Sequence, residues 1–112
     1  MIGRLHGRSV FASLRERGVR VRAGWLWCSM VIDPAAQRPH VGYAIGRNVG
    51  PAVDRNRLRR RLRAALAPWE ADLRPGWYLV GVSPRSVQPD WADVCSAVAQ
   101  LVAAVNARVA RS

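Results

Sequence analysis

Apolar side chains recur along this chain with two periods, and the switches between them mark out its elements. Val10, Phe11 and Leu14 fall at helical spacing within residues 8–17 and Gly18 follows, so a short amphipathic helix closed by a glycine C-cap is expected. VRVRA (19–23) alternates apolar and basic positions, and GWLWCSMVI (24–32) is a long β-prone run. Two strands are predicted there. DPAAQRP (33–39) has turn chemistry, and HVGYAIG (40–46) alternates again, giving a third strand of a meander. Leu58, Leu62, Ala65, Leu66 and Trp69 then define the buried stripe of a second helix, with Gly50 and Pro51 opening it. GWYLVGVS (76–83) reads as a fourth strand and residues 84–90 as a Pro-rich loop. Asp90 and Asp93 head a last helix carrying Val94, Ala97, Val98, Leu101, Val102, Val105 and Val109. The order α-β-β-β-α-β-α describes an α+β fold, a single-domain α-β sandwich over residues 1–112 with one four-stranded sheet.

Side chains alternate across a sheet, which splits the strand residues into two sets. Leu26, Cys28, Met30 and Ile32, with Val41, Tyr43, Ile45, Tyr78, Val80 and Val82, form the expected core face. The opposite face carries Trp25, Trp27 and Ser29, then Gly42, Ala44 and Gly46, then Leu79, Gly81 and Ser83. Small residues beside an aromatic edge suit either a closely packed helix or an open trough. An open trough of this kind would take an unpaired strand whose bases stack on the aromatics.

Charge changes the picture most around the second helix. The net charge is +11, and residues 1–63 hold all of the excess, with 14 arginines against three acids. Six of those arginines stand within residues 55–63, and the chain has no lysine. Asn56, Arg59, Arg60 and Arg63 share the face opposite the apolar stripe, Arg57 lies at its edge, and Arg55 and Arg61 flank the stripe. A solvated helix face ordinarily interleaves Glu with Arg, whereas Asp54 alone intervenes here. Like charges repel along such a face unless an anion compensates, and guanidinium forks fit phosphate. The pattern points to a nucleic acid. Arg8, Arg15 and Arg17 on the first helix suit a solvated surface or part of the same phosphate-facing wall.

Other chemistry is sparse. Cys28 and Cys95 lack metal-ligand spacing, His6 and His40 stand apart, and the few acids are scattered, so no metal site, catalytic dyad or nucleophile–base pair is expected. The N-terminus lacks a signal-type apolar core and no apolar run approaches a membrane span, so a cytoplasmic protein with no membrane partner is expected.

The segment GYAIGRNVGPAVDRNRLRRRLRAAL resembles the signature of the bacterial ribonuclease P protein family. In that family a strand, a basic turn and a Gly-x-Ala-Val step lead into a helix with Arg-Asn-Arg and further basic residues. RLHGRSVFASLRERG is similar to the family's first helix and WYLVGVSPRSV to its fourth strand and following loop, so residues 4–106 are covered. The resemblance implies a subunit that assists a catalytic RNA in removing the 5′ leader of precursor tRNA. It implies Mg2+ held mainly by the RNA, none held by the protein alone, and no role for DNA. It also implies a left-handed β-α-β crossover into the fourth strand, against the usual rule.

Carried over by position, Arg47, Asn48, Arg55, Asn56, Arg57, Arg59, Arg60 and Arg63 are implied to meet the RNA subunit. Phe11, Arg15, Trp27, Ser29 and Leu79 are implied to line the leader trough. The chain departs from the family at Gly46, Arg47 and Asn48, where Ser-Lys-Lys is usual, and at Pro51, where Asn is common. Arg15 and Ser29 stand where aromatic residues often lie. A ribosomal or other structured-RNA-binding protein is the alternative from the binding class, and a self-sufficient nuclease the alternative from the enzyme class.

Overall fold

The computed structural model describes residues 1–84 and 88–111. Eight elements follow in order: β1 (Gly3–Arg4), α1 (Arg8–Arg17), β2 (Val19–Ala23), β3 (Leu26–Ile32), β4 (Pro39–Ala44), α2 (Ala52–Leu66), β5 (Gly76–Val82) and α3 (Trp91–Ala110). Short 3-10 turns precede β4 and α2, and a longer one, Ala67–Asp72, follows α2. Residues 85–87 of the expected Pro-rich loop lie outside the described residues.

The strands form one mixed sheet in the order β1-β4-β5-β3-β2. This corrects the expected four strands to five. Gly3 and Arg4 pair in parallel with His40 and Val41, and a two-residue strand is too short to leave any period in the sequence. The β2-β3 hairpin is antiparallel, β3 pairs antiparallel with β5, and β4 pairs parallel with β5. The meander expected from three consecutive strands is therefore interrupted, because β5 inserts between β3 and β4. Parallel neighbours require a crossover, and α2 supplies it.

One face of the sheet holds the core. Leu26, Cys28, Met30, Val41, Tyr78, Val80 and Val82 pack with Leu58, Leu62, Ala65 and Leu66 of α2, and with Val94, Ala97, Val98, Leu101, Val102 and Val105 of α3. Both helical stripes fall where the periodicity places them. Ile32 does not: it ends β3 opposite Gly76, with no side chain facing it, and is 36% exposed. Tyr43 is half-buried at the edge of the core.

Local chemistry explains the ends of the helices. Asp90 and Asp93 form a reciprocal capping box, with Asp93 N–H donating to Asp90 Oδ1 at 2.8 Å and Asp90 N–H to Asp93 Oδ2 at 3.2 Å. Gly18 follows α1 with φ −64, not the left-handed geometry of a glycine cap. Its N–H donates to the Leu14 carbonyl at 3.0 Å, and a Cβ there would collide with that carbonyl and with Ser29 Oγ. The glycine allows the end of α1 to lie close against β3. By length and composition α3 would suffice to cross a membrane, contrary to the expectation that no apolar run approaches that length. Its stripe from Val94 to Val105 instead faces the core described above.

Burial raises the Cys28 thiol from 9.0 to about 12, slightly opposed by a backbone hydrogen bond at Leu79. Burial and then the neighbouring Cys28 push Tyr78 from 10.0 to about 12. Both groups stay protonated in the fold after the unfolded chain has released its protons. Stability is therefore expected to hold up to about pH 9 and to fall between about pH 9 and 12. Guanidinium unfolding midpoints across that range check this, and a flat profile would contradict it.

Candidate nucleic-acid interface

Two surfaces carry the residues singled out by the sequence, and the sheet separates them. The first is the outer face of α2. Leu58 and Leu62 are 2% and 1% exposed, so the helix is fixed in rotation and its opposite face must point outward. Asn56, Arg57, Arg60 and Arg63 are exposed and Arg59 is half-buried. Among the described residues no carboxylate forms an ion pair with any arginine of α2. The repulsion inferred from the sequence is therefore present in the fold without an internal counter-charge.

Several of these side chains are nonetheless held. Arg59 donates to Asn56 Oδ1 at 2.8 Å, which orders the two on one turn of the helix. The Arg63 guanidinium lies 5.8 Å from the centre of the Tyr43 ring, near the limit of a cation–π contact. Burial pushes the Tyr43 hydroxyl up to about 12, opposed by the same Arg63. Arg63 is thus splayed toward β4.

Arg55 and Arg61 behave differently from the outward set. Arg55 Nε donates to the Gly50 carbonyl at 3.2 Å, folding back on the turn that opens α2. Gly50 has φ 155, a conformation open to glycine, and Gln88 Nε2 donates to the adjacent Val49 carbonyl at 3.2 Å. Arg61 donates to the Pro89 carbonyl at 3.1 Å, tying α2 to the residues just before α3. Both flank the apolar stripe, from which each reaches protein backbone. Arg47 and Asn48 sit exposed on the 3-10 turn before Gly50, next to the N-terminal end of the arginine face.

The second surface lies on the other side of the sheet. Leu14 is buried where α1 covers that side. An open cleft of about 340 Å³ remains beside it, lined by Leu14, Arg15, Gly18, Arg20, Trp27, Ser29 and Leu79. Both sequence-level possibilities are realised in part, since a helix packs on this face and a trough survives next to it. Arg15, Trp27, Ser29 and Leu79 are brought together, with Ser29 directly opposite Leu79. Phe11 is 41% exposed on α1 but is not among the lining residues. Gly42, expected in the open floor, is covered by Leu5, whose Cβ would come within 2.9 Å of a Cβ added there.

Sequence reasoning missed Arg20. Its guanidinium carbon lies 4.1 Å from the centre of the Trp27 ring. The alternation of VRVRA places Arg20 on the same face as Ser29 once the β2-β3 register is known, but the register is not legible in the sequence. Among the described residues no group of three or more His, Cys, Asp or Glu side chains lies together in a way that could hold a metal ion.

The family model for ribonuclease P matches residues 3–106. The chain belongs to the ribonuclease P protein family. It is 38% identical over 77 residues to the ribonuclease P protein component of Beutenbergia cavernae, covering 69% of this chain and 65% of that one. The corresponding protein of Symbiobacterium thermophilum is 35% identical over 83 residues, 74% of this chain and 72% of that one. The chain thus spans just under two thirds of the first of these relatives and somewhat more of the second. In fold it is similar to the RNase P protein of Staphylococcus aureus, with a TM-score of 0.81 over 92% of this chain and 94% of that one at 13% identity. The α+β architecture is that of the ribonuclease P proteins.

Proposed function

We propose that this chain is the protein subunit of a ribonuclease P holoenzyme, an endoribonuclease that removes the 5′ leader of precursor tRNA. Its partners are a catalytic RNA subunit and the precursor tRNA. The observation that carries this is the arginine face of α2, which is outward, fixed in rotation and, among the described residues, paired with no carboxylate, on a chain of the ribonuclease P protein family.

The protein works by supplying charge and shape. Arg57, Arg59, Arg60 and Arg63, with Asn56, Arg47 and Asn48, meet phosphates of the RNA subunit. Each contact releases condensed counterions, so assembly is strongly salt-dependent. Arg55 contributes by holding the Gly50 turn, which sets where the helix begins. The cleft beside α1 receives the single-stranded leader, with Arg15, Trp27, Ser29 and Leu79 around it and Phe11 farther along α1. Catalysis rests with the RNA, which also holds the Mg2+ ions, and no residue of this chain is assigned a catalytic role. The protein acts in the cytoplasm as a single RNA-binding domain. We also take the crossover from β4 through α2 to β5 to be left-handed, as the family resemblance implies.

Reconstitution tests the whole. With a cognate catalytic RNA at low magnesium, adding the protein should restore leader cleavage at a single site. Failure with several such RNAs overturns the proposal. RNA binding without any gain in cleavage would instead assign the chain to the structured-RNA-binding proteins that lack a nuclease role.

A further inference from the structure

We propose that Arg20 takes the phosphate backbone of the single-stranded leader, and that Trp27 positions Arg20 rather than stacking on a base. This rests on the leader-binding role of the cleft given above and names the chemistry by which the cleft would work.

The sheet order puts β3 between β2 and β5, so Trp27 has a neighbour on each side. On the β5 side the residue directly opposite is Gly81. The indole occupies the space that a Cβ at Gly81 would need, with Cε2, Cζ2 and Nε1 all crowding that point. On the β2 side Arg20 lies over the ring at 4.1 Å. Both sides of the indole are therefore engaged inside the protein. A base could stack on Trp27 only by displacing Arg20, whereas a ligand approaching the cleft meets the guanidinium first.

That guanidinium is well placed for phosphate. Held over the indole at 4.1 Å from its centre, it keeps N–H donors for a bidentate contact. Arg20 is exposed, and among the described residues no carboxylate forms an ion pair with it. Arg15 lines the same cleft from α1, and Ser29, the partner of Arg20 across the hairpin, places a hydroxyl between β2 and β5. Two cations and a hydroxyl with no acid recognise a sugar–phosphate chain and carry little base information. The cleft should accordingly hold leaders of different sequence with similar affinity and with marked salt dependence.

The test uses holoenzyme reconstituted with a cognate catalytic RNA, and measures affinity for precursor tRNA and for tRNA lacking a leader across a potassium chloride series. The variants are Arg20→Ala, Trp27→Ala and both together, with thermal melting to confirm that each folds. Arg20→Ala is expected to weaken precursor binding about tenfold, the scale of one charged hydrogen-bonded contact. It should reduce the log–log salt slope by about 0.7, as for one single-strand phosphate, and leave leaderless tRNA unaffected. The double variant should be no weaker than Arg20→Ala alone. Losses that multiply in the double variant, or a Trp27→Ala loss with Arg20→Ala silent, would overturn the assignment while leaving leader binding in place. Wild-type holoenzyme that fails to distinguish the two substrates would remove the leader-binding role itself, and this assignment with it.

Discussion

Replacing Arg57 and Arg60 together by alanine is expected to weaken binding to the catalytic RNA about a hundredfold, with the fold intact. Both side chains are exposed on the outward face of α2, and among the described residues no hydrogen bond depends on either. Each charged contact to phosphate contributes about 1.5–3 kcal/mol, so losing two, at the lower end of that range, removes roughly two powers of ten in affinity. The more discriminating readout is salt dependence. Each lost duplex phosphate contact lowers the slope of log K against log salt by about 0.9, so the double variant should lose about 1.8. Filter binding over a potassium chloride series measures this, and an unchanged slope would move the RNA interface away from α2. Arg55→Ala makes the internal comparison. It should change the slope little, because Arg55 donates to the Gly50 carbonyl.

The second large effect is on stability. Leu62→Ala is expected to cost about 3 kcal/mol, within the range for a leucine removed from a packed core where neighbours cannot collapse into the space. Leu62 is 1% exposed and belongs to the cluster that joins α2 to β5 and α3. For a chain of this size the loss lowers the melting temperature by roughly 12 °C, which calorimetry would show. A cost below about 1 kcal/mol would mean that α2 is not anchored through this stripe. The two variants separate the functions of the helix: one side holds it to the sheet, and the other presents cations that pair with no carboxylate among the described residues.

Much of this division is legible in residue spacing alone. Helical periodicity marks Leu58, Leu62, Ala65 and Leu66 as buried and Arg57, Arg60 and Arg63 as outward, because both facts follow from a single period of 3.6 residues. Strand alternation likewise sorts Leu26, Cys28 and Met30 from Trp27 and Ser29. These are local properties, and each stretch of chain carries its own. The capping box at Asp90 and Asp93 is of the same kind.

Where sequence reasoning failed, partners distant in the chain were deciding. Gly3 and Arg4 become a strand only because β4 offers an edge, and no two-residue stretch announces that. β3 and β4 look like consecutive strands of a meander, yet β5 lies between them. Gly18 resembles a helix cap in the sequence, but its lack of a side chain serves the approach of α1 to Ser29.

The sequence by itself thus determined the elements, their faces, the basic character of α2 and the family resemblance, since all of these are written in spacing and residue type along the chain. Tertiary structure alone decided which protein groups the arginines of α2 reach. Arg55 and Arg61 are drawn to the carbonyls of Gly50 and Pro89, and Arg59 to Asn56. It also set Trp27 between Gly81 and Arg20. The physical reason is common to both cases. A side chain's free donors and open faces depend on what the fold brings beside them, and that is a matter of strand order and register.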